Sequence, residues 1–219
     1  MKLYPVMINL EGKKAVVVGG GTVALRKVRD LLECGAMVTV IAPEIHPDID
    51  SLAASHVSNL IIERRHYRSG DCDGAMLVFS ATDNESVNRE VYAEAAGKNI
   101  LVNAVDDPPN CSFFMPSWFN RNGLVVSVST SGISPSLSAR IRRDIEKNIP
   151  ADIEDALSAL KQARMLLRED NDFADLSSDR RGKILKQIVL DDDLFGELVD
   201  SFKNDSVKKM LLKLKTADA

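Results

Sequence analysis

Apolar residues in the first half of the chain fall in short continuous runs, with longer stretches of mixed polarity between them. The runs fill residues 15–18, 37–42, 60–62, 76–80 and 100–105. Residues 23–34 and 84–97 instead show apolar positions at helical spacing. Short apolar runs alternating with helices are typical of a parallel sheet that is covered on both faces. The pattern therefore predicts an α/β fold for this half.

The pattern changes after the fifth run. Residues 106–110 are rich in Asp, Pro and Asn, which favour turns. A strand is predicted at 124–128, and a helix over 135–148 with Ser134 as its N-cap and Pro at its first position. The region around Pro150 marks a boundary.

Beyond residue 150 the apolar positions recur at helical spacing, which predicts an all-helical tail. The stripes comprise Ile153, Leu157, Leu160, Arg164 and Leu167, then Ile184, Leu185, Ile188 and Val189, then Val207, Met210, Leu211 and Leu214. The acidic run at 191–193 is expected to form a solvated loop or a helix start rather than a metal site.

The junction after the first predicted strand has the form G-x-G-x-x-A, from Gly19 through Gly21 to Ala24. Gly19 permits the tight turn, Gly21 lets a pyrophosphate approach the backbone, and Ala24 lets the helix pack close to the sheet. The helix N-terminus that follows attracts an anion. This context favours dinucleotide binding over a simple glycine turn, and the fold is predicted to be of Rossmann type.

Pro43 and Glu44 follow the second strand, where a Rossmann fold meets the adenosine ribose. Glu44 can accept a hydrogen bond from a ribose hydroxyl, and no Arg follows at once to bind a 2′-phosphate, so NAD is favoured over NADP. A solvated loop carboxylate is an equally good interpretation of Glu44. Thr82, after the fourth strand, is a candidate cofactor contact, and Thr82 or Asp83 is also expected to cap the next helix.

Asp106 follows the fifth strand, at the crevice toward which a nicotinamide ring points. A carboxylate there can act as a general base if burial raises its pKa toward neutrality. Removal of a hydride from carbon is usually coupled to loss of a proton, so a base beside a nicotinamide is chemically sensible. From spacing alone, a turn formed by Asp106 and Asp107 before the prolines is equally compatible.

Composition narrows the class of protein. The 219 residues suggest one or two domains, and a net charge of −4 gives no basic field for nucleic acid or an anionic membrane. No apolar stretch is long enough to span a bilayer, so a cytoplasmic protein is expected. The scattered cysteines Cys34, Cys72 and Cys111 indicate reduced thiols, and no metal site is predicted.

Five motifs occur in order along the chain. They are Gly19-Gly20-Gly21-Thr22-Val23-Ala24, Ala81-Thr82-Asp83, Asn103-Ala104-Val105-Asp106, Ser112-Phe113-Phe114-Met115-Pro116 and Ser129-Thr130-Ser131-Gly132-Ile133-Ser134-Pro135. Together, over about residues 3–150, they resemble the precorrin-2 dehydrogenase family. That family is the N-terminal module of siroheme synthases, and some members are also sirohydrochlorin ferrochelatases.

The resemblance implies NAD-dependent oxidation of precorrin-2 to sirohydrochlorin by an intertwined homodimer. It also implies that Asp106 is the catalytic base, and it leaves open whether ferrous iron is a second substrate. The implied dinucleotide contacts are Gly21, Thr22, Val23, Pro43 and Glu44.

Precorrin-2 carries eight carboxylates, so its site needs positive donors and helix N-termini. The candidate substrate contacts are Ser129, which matches a serine that is modified by phosphate in some relatives, with Ser134, Ser136 and Arg140. An exposed helix face or salt bridges between subunits account equally well for an arginine here.

The expected organisation is a Rossmann NAD-binding domain over residues 1–110, a dimerisation and substrate-pocket segment over 111–150, and a small all-helical C-terminal domain over 151–219. Two other functions compete with the dehydrogenase. One is a non-catalytic NAD-sensing module, because the same fold also serves regulation. The other is a different small-molecule dehydrogenase, although the sequence shows no Tyr-x-x-x-Lys or His-based proton relay at the fourth or fifth strand.

Overall fold

The computed structural model describes residues 2–105 and 107–217, which form two compact units. The first unit, Leu3–Met115, is a parallel sheet of five strands with three helices. Its elements are β1 (Lys14–Val18), α1 (Thr22–Glu33), β2 (Met37–Ile41), α2 (Pro47–Ser55), β3 (Leu60–Glu63), β4 (Leu77–Ser80), α3 (Glu85–Gly97) and β5 (Leu101–Ala104). The strand order is β3-β2-β1-β4-β5, which confirms the predicted Rossmann-type sheet.

The central strands β1 and β4 are buried without alternation because both faces of the sheet are covered. Ala15 and Val17 of β1 lie in a core with helix α1, whereas Val16 and Val18 lie in a second core with helix α3. The order of the strands reverses between β1 and β4, and ligands of such sheets bind in the crevice at this point.

Helix α2 is an element that the sequence pattern did not predict. It begins after His46, whose Nδ1 accepts a hydrogen bond of 3.1 Å from the Asp48 N–H. Histidine is not among the usual capping residues, but Pro47 at the first helical position and Asp48 in the first turn were available signals.

The connection from β3 to β4 contains no helix and is attached to α3 by the carboxylate of Glu94. Glu94 of α3 accepts hydrogen bonds from the Gly70 N–H at 3.0 Å, the Cys72 N–H at 3.3 Å and the Tyr67 hydroxyl at 2.5 Å. Burial alone raises the pKa of Glu94, but the hydrogen bonds from Lys98, Tyr67 and the loop backbone outweigh it and hold the pKa below its usual range.

The second unit begins at Pro116 with a β-hairpin and continues as helices. Its elements are β6 (Ser117–Arg121), β7 (Leu124–Val128), α4 (Pro135–Asn148), α5 (Ile153–Glu169), α6 (Ser178–Leu190), α7 (Asp192–Lys203) and α8 (Val207–Ala217). The predicted strand and the predicted helix over 135–148 are confirmed, and the Ser134 Oγ caps α4 by accepting from the Leu137 N–H at 3.2 Å. Among the residues that the structure describes, every helix is too short or too polar to cross a bilayer.

Helix α5 confirms only part of the stripe predicted for it: Leu167 is buried, and Leu160 is partly buried against the helical core. Its buried residues are Ala156, Ala159, Ala163 and Leu167, and Arg164 is exposed. Small side chains let neighbouring helices approach closely, and this face packs into the core that Phe173, Ile184 and Leu198 also form. The acidic run at 191–193 opens α7 as a helix start, one of the two predicted possibilities. The division into domains at residues 110 and 150 stays a prediction.

Candidate functional site

The turn between β1 and α1 passes directly over the end of β4. Gly19 has φ +122°, a conformation that favours glycine, and a Cβ there would lie 2.1 Å from the Ala81 carbonyl oxygen. The Gly19 N–H donates to the Ile41 carbonyl at 2.9 Å, which extends the β1–β2 pairing to the turn. Ala24, three residues into α1, is fully buried, as expected for close packing of the helix on the sheet.

Gly20 is a functional position that the sequence analysis missed. A Cβ at Gly20 would lie 2.0 Å from the Glu44 carbonyl oxygen, and the Gly20 carbonyl accepts from the His46 N–H at 2.8 Å. The loop after β2 is therefore held against the glycine turn. The available signal was the glycine at the middle position. The G-x-G-x-x-A motif requires glycine at positions 19 and 21 but not at position 20.

Gly21 faces open space. A Cβ there would meet none of the described atoms within 4 Å. Gly21 is the N-cap of α1, and among the described residues no side chain caps this helix and no acidic residue lies in its first turn. The first backbone N–H groups of a helix have no intrahelical partner, and they carry partial positive charge. The residues present therefore fit the pyrophosphate of a dinucleotide.

The carboxyl end of β4 is organised by buried polar groups. Ser80 is fully buried, and its hydroxyl donates to the Asn88 Oδ1 at 2.6 Å. The Asn88 Nδ2 in turn donates to the Thr82 carbonyl at 3.0 Å. Asn88 thereby fixes the backbone that faces Gly19, a role that nothing in its sequence neighbourhood signals.

The prediction that Thr82 or Asp83 caps α3 is wrong. The cap is Asn84, whose Oδ1 accepts from the N–H groups of Ser86 at 3.0 Å and Val87 at 3.3 Å. The Thr82 Oγ1 accepts from the Asn84 N–H at 3.1 Å, so Thr82 orients the cap rather than forming it. Thr82 remains at the edge of the crevice as a candidate cofactor contact.

Pro43 and Glu44 are both exposed at the end of β2. The neighbouring strand β3 brings Arg64 and Arg65 to the same edge, which the sequence analysis did not consider. Arg64 pairs with Asp50, and Arg65 makes two hydrogen bonds of 2.8 Å to the Asp71 carboxylate. Each arginine therefore already has a carboxylate partner.

After β5, the structure describes the residues on both sides of residue 106. Asp106 itself lies outside the described residues, so its position at the crevice stays a prediction. The Val105 N–H donates to the Ser80 carbonyl at 2.9 Å, and the Asp107 N–H donates to the Ala104 carbonyl at 3.3 Å. The Cys111 thiol donates to the Ala104 carbonyl at 3.1 Å, and burial raises the pKa of this thiol, so it stays protonated at neutral pH.

The candidate substrate residues lie around the start of α4 in the second unit. The Ser129 hydroxyl accepts from the Ser131 N–H at 3.1 Å, Ser134 is the N-cap, and Ser136 is exposed in the first turn. Arg140 is exposed one turn further on, with its Nε 3.9 Å from the Asp144 Oδ2. Within residues 2–105 and 107–217, no group of three or more His, Cys, Asp or Glu side chains is placed to hold a metal ion.

Comparison with known proteins divides the chain into two matched parts. A family model described as "Putative NAD(P)-binding" matches residues 6–117. A second model, described as "Sirohaem biosynthesis protein central", matches residues 121–148. The first match contains the whole parallel sheet, and the second contains most of the β-hairpin and α4.

Similar curated proteins are siroheme synthases. That of Methylobacillus flagellatus is 43% identical over 152 residues, which are 69% of this chain and 32% of the relative. That of Acinetobacter baylyi is 37% identical over 68% of this chain and 33% of the relative. The chain thus spans about a third of the length of these relatives.

A solved structure described as SirC, precorrin-2 dehydrogenase, is similar over nearly the whole length of both chains. The identity is 28%, the TM-score is 0.77, and the match covers 97% of this chain and 99% of the other. The likeness therefore includes the helical tail, for which the sequence offered no motif.

Proposed function

Because this chain belongs to an NAD(P)-binding family, we propose that it binds NAD at the glycine turn and oxidises precorrin-2 to sirohydrochlorin. One observation carries the proposal. Among the residues that the structure describes, the start of α1 is open and has no capping side chain, and it lies where the strand order reverses between β1 and β4, with the end of β5 next to β4. The full-length likeness to a precorrin-2 dehydrogenase supports this substrate.

NAD is proposed rather than NADP because of the charges at the end of β2. A 2′-phosphate needs a free cationic donor, but Arg64 and Arg65 are each paired with a carboxylate. The exposed Glu44 would repel a phosphate and can accept a hydrogen bond from a ribose hydroxyl. We therefore expect kcat/KM with NAD to exceed that with NADP.

The chain's own groups then have distinct tasks. A bound nicotinamide would supply the hydride acceptor. The backbone N–H groups of Gly21, Thr22 and Val23 hold the pyrophosphate, Pro43 and Glu44 contact the adenosine half, and Thr82 lines the edge of β4. Asp106 takes the proton that the substrate loses together with the hydride, and later releases it to water.

We further propose that Ser129, Ser134, Ser136 and Arg140 bind carboxylates of the tetrapyrrole, since a helix start and a guanidinium both favour anions.

We propose a homodimer because this region carries exposed apolar side chains that a second copy could cover. Ile133 is 86% exposed, and Leu137, Ile141 and Val125 are also exposed. Free thiols support a cytoplasmic location. We also propose ferrous iron as a second substrate of the enzyme, inserted into sirohydrochlorin, which a separate step of the assay tests.

The test is an anaerobic assay of the purified chain with precorrin-2 and NAD. We expect NADH and the sirohydrochlorin spectrum to appear together. An Asp106→Asn variant is expected to lose turnover by about 10²–10⁴-fold, the usual contribution of a general base, with an unchanged Kd for NAD. An Asp179→Asn variant in the helical tail serves as the matched control and is expected to turn over normally.

Two outcomes would contradict the proposal in different ways. If the native chain binds NAD but oxidises no precorrin-2, the two alternatives remain, an NAD-sensing module or a dehydrogenase of another small molecule. If Asp106→Asn turns over normally, Asp106 is not the base. Adding ferrous iron after the oxidation then tests metal insertion through loss of the sirohydrochlorin spectrum.

A further inference from the structure

The chain turns back along β5 after leaving it. Asn103 and Cys111 form an antiparallel bridge, and the Ser112 N–H donates to the Val102 carbonyl at 2.8 Å. β5 is the last strand of the sheet, so its outer edge would otherwise present unpaired backbone groups. Residues 111–113 cover that edge as a short returning segment.

Two side chains fasten this segment to β5. The Ser112 Oγ accepts from the Val102 N–H at 2.8 Å and lies 3.2 Å from the Val102 carbonyl oxygen. The Asn103 Nδ2 donates to the Phe113 carbonyl at 2.9 Å. The Phe113 ring then packs edge-on against Phe79 of β4, with 5.4 Å between the ring centroids. The returning segment is thus attached to β5 by side chains and to the core by one aromatic ring.

Residue 106 lies in the sequence between β5 and the returning segment, within the turn that joins them. This turn is tied to the sheet through the Val105 N–H and to β5 through the Asp107 N–H and the Cys111 thiol. Across the turn, the Asn110 Nδ2 donates to the Asp107 Oδ2 at 2.6 Å. Every one of these bonds ends within the turn or on the strands beside it, so the network fixes the place where the chain leaves β5.

We propose that Asn103 and Ser112 are positioning residues for the dehydrogenation, because they fix the turn that carries Asp106. This inference rests on the proposed function and assigns neither side chain a contact with substrate or cofactor. A misplacement of about 1 Å in a reacting group can lower a rate by about 10²-fold, so a base on a loosened turn loses efficiency although it is still present.

The experiment compares Ser112→Ala and Asn103→Ala with the native chain in the precorrin-2 assay. We expect kcat to fall by about 10–100-fold in each, the loss expected for a misplaced reacting group, while the Kd for NAD stays within about twofold. Ser112→Thr keeps the hydroxyl and is expected to restore most of the rate. Ser55→Ala and Asn204→Ala are matched controls, because each removes a hydrogen bond to a carbonyl in the last turn of a helix, α2 for Ser55 and α7 for Asn204.

A double-mutant cycle separates positioning from a general weakening of the fold. If Ser112 acts through Asp106, adding Ser112→Ala to Asp106→Asn causes little further loss of kcat. An equal loss in both backgrounds would overturn the proposal. Circular dichroism and thermal melting check each variant, and if Asn103→Ala does not fold, the Ser112 series decides alone.

The two proposals fail separately. Native kcat in Ser112→Ala and Asn103→Ala, with an inactive Asp106→Asn, overturns the positioning role and leaves the proposed function intact. An active Asp106→Asn overturns the proposed base, whatever the Ser112 variants do.

Discussion

Two helices of this protein begin in opposite ways. α1 starts at Gly21 with no capping side chain among the described residues and no acidic residue in its first turn. α7 starts at Asp191, whose carboxylate accepts from the N–H groups of Asp193 at 3.1 Å and Leu194 at 3.0 Å. Two more aspartates lie in its first turn.

Both helices have the same electrostatic need, because the N–H groups at a helix start lack intrahelical partners. In α7 the chain meets that need with its own carboxylates, which contributes to stability. In α1 no described side chain meets that need, and we propose that the pyrophosphate of the dinucleotide does. The difference shows that an uncapped helix start is informative when it lies at the carboxyl edge of a parallel sheet beside an open glycine.

The largest effect is expected from Gly20→Ala. The new Cβ would lie 2.0 Å from the Glu44 carbonyl oxygen, which is backbone and cannot move aside alone. We expect a loss of about 2–3 kcal/mol of unfolding free energy, the upper range for overpacking, together with weakened NAD binding. Urea unfolding measures the first quantity, and a native midpoint would show that the loop after β2 does not contact the turn.

Gly21→Ala is expected to separate binding from stability. Its Cβ meets none of the described atoms within 4 Å, and its φ of −84° suits alanine. We expect the unfolding free energy to change by less than about 0.5 kcal/mol. The methyl group would occupy the space of the pyrophosphate, so the Kd for NAD should rise about tenfold or more, or about 1.4 kcal/mol. Unchanged affinity in calorimetry would place the pyrophosphate elsewhere.

Asp191→Ala is expected to show the reverse behaviour. Loss of the N-cap of α7 should cost about 1 kcal/mol and lower Tm by about 2–4 °C, with no effect on NAD binding. Asp192→Asn is the control, since Asp192 supplies only charge to the first turn. A weakened affinity for NAD in the Asp191 variant would contradict the separation of the two helix starts.

The smallest effect concerns acid stability. The hydrogen bonds from Arg65 hold the pKa of Asp71 below its usual range, and the Arg68 N–H adds to this effect. A depressed pKa contributes stability above the unfolded value, near pH 4, and the contribution is lost as the pH falls further through the folded value. Asp71→Asn should therefore cost about 1 kcal/mol at pH 7 and less below about pH 4.

The matched variant for this pH dependence is Asp175→Asn in the helical tail. Asp175 pairs with Lys215, but the carboxylate is 66% exposed, so solvent screens the pair. Urea midpoints between pH 3 and pH 7 should differ little from those of the native chain. A larger pH-dependent effect for Asp175 than for Asp71 would contradict this comparison.

The sheet could be predicted because its central strands are buried on both faces, so β1 is an unbroken apolar run that ends at Val18. The open helix start could be predicted because glycine spacing reports backbone demands directly. Gly20 was missed, since its constraint comes from a loop that is distant in sequence. The hydrogen bonds of Asn88, Asn103 and Ser112 could not be predicted either, because each joins residues of two neighbouring elements whose contact only the fold creates.

The helical tail was harder to predict because helical periodicity leaves the choice of the buried face to tertiary packing. In α5 the most buried positions include Ala159 and Ala163, which are small enough to suit either face, so the predicted stripe contained Leu167 but also the exposed Arg164. The cap of α3 was misplaced because Thr82, Asp83 and Asn84 are all capping residues, and backbone geometry chooses among them.

The most direct test of the account is a titration of the ¹⁵N-labelled chain with NAD, followed through the backbone amide resonances. We expect the largest shifts at Gly21, Thr22 and Val23, smaller ones at Glu44 and Thr82, and none at Asp193 and Leu194. Shifts at the start of α7 that equal those at α1, or no shift at residues 21–23 when NAD is saturating, would contradict the claim that α1 is left open for the dinucleotide.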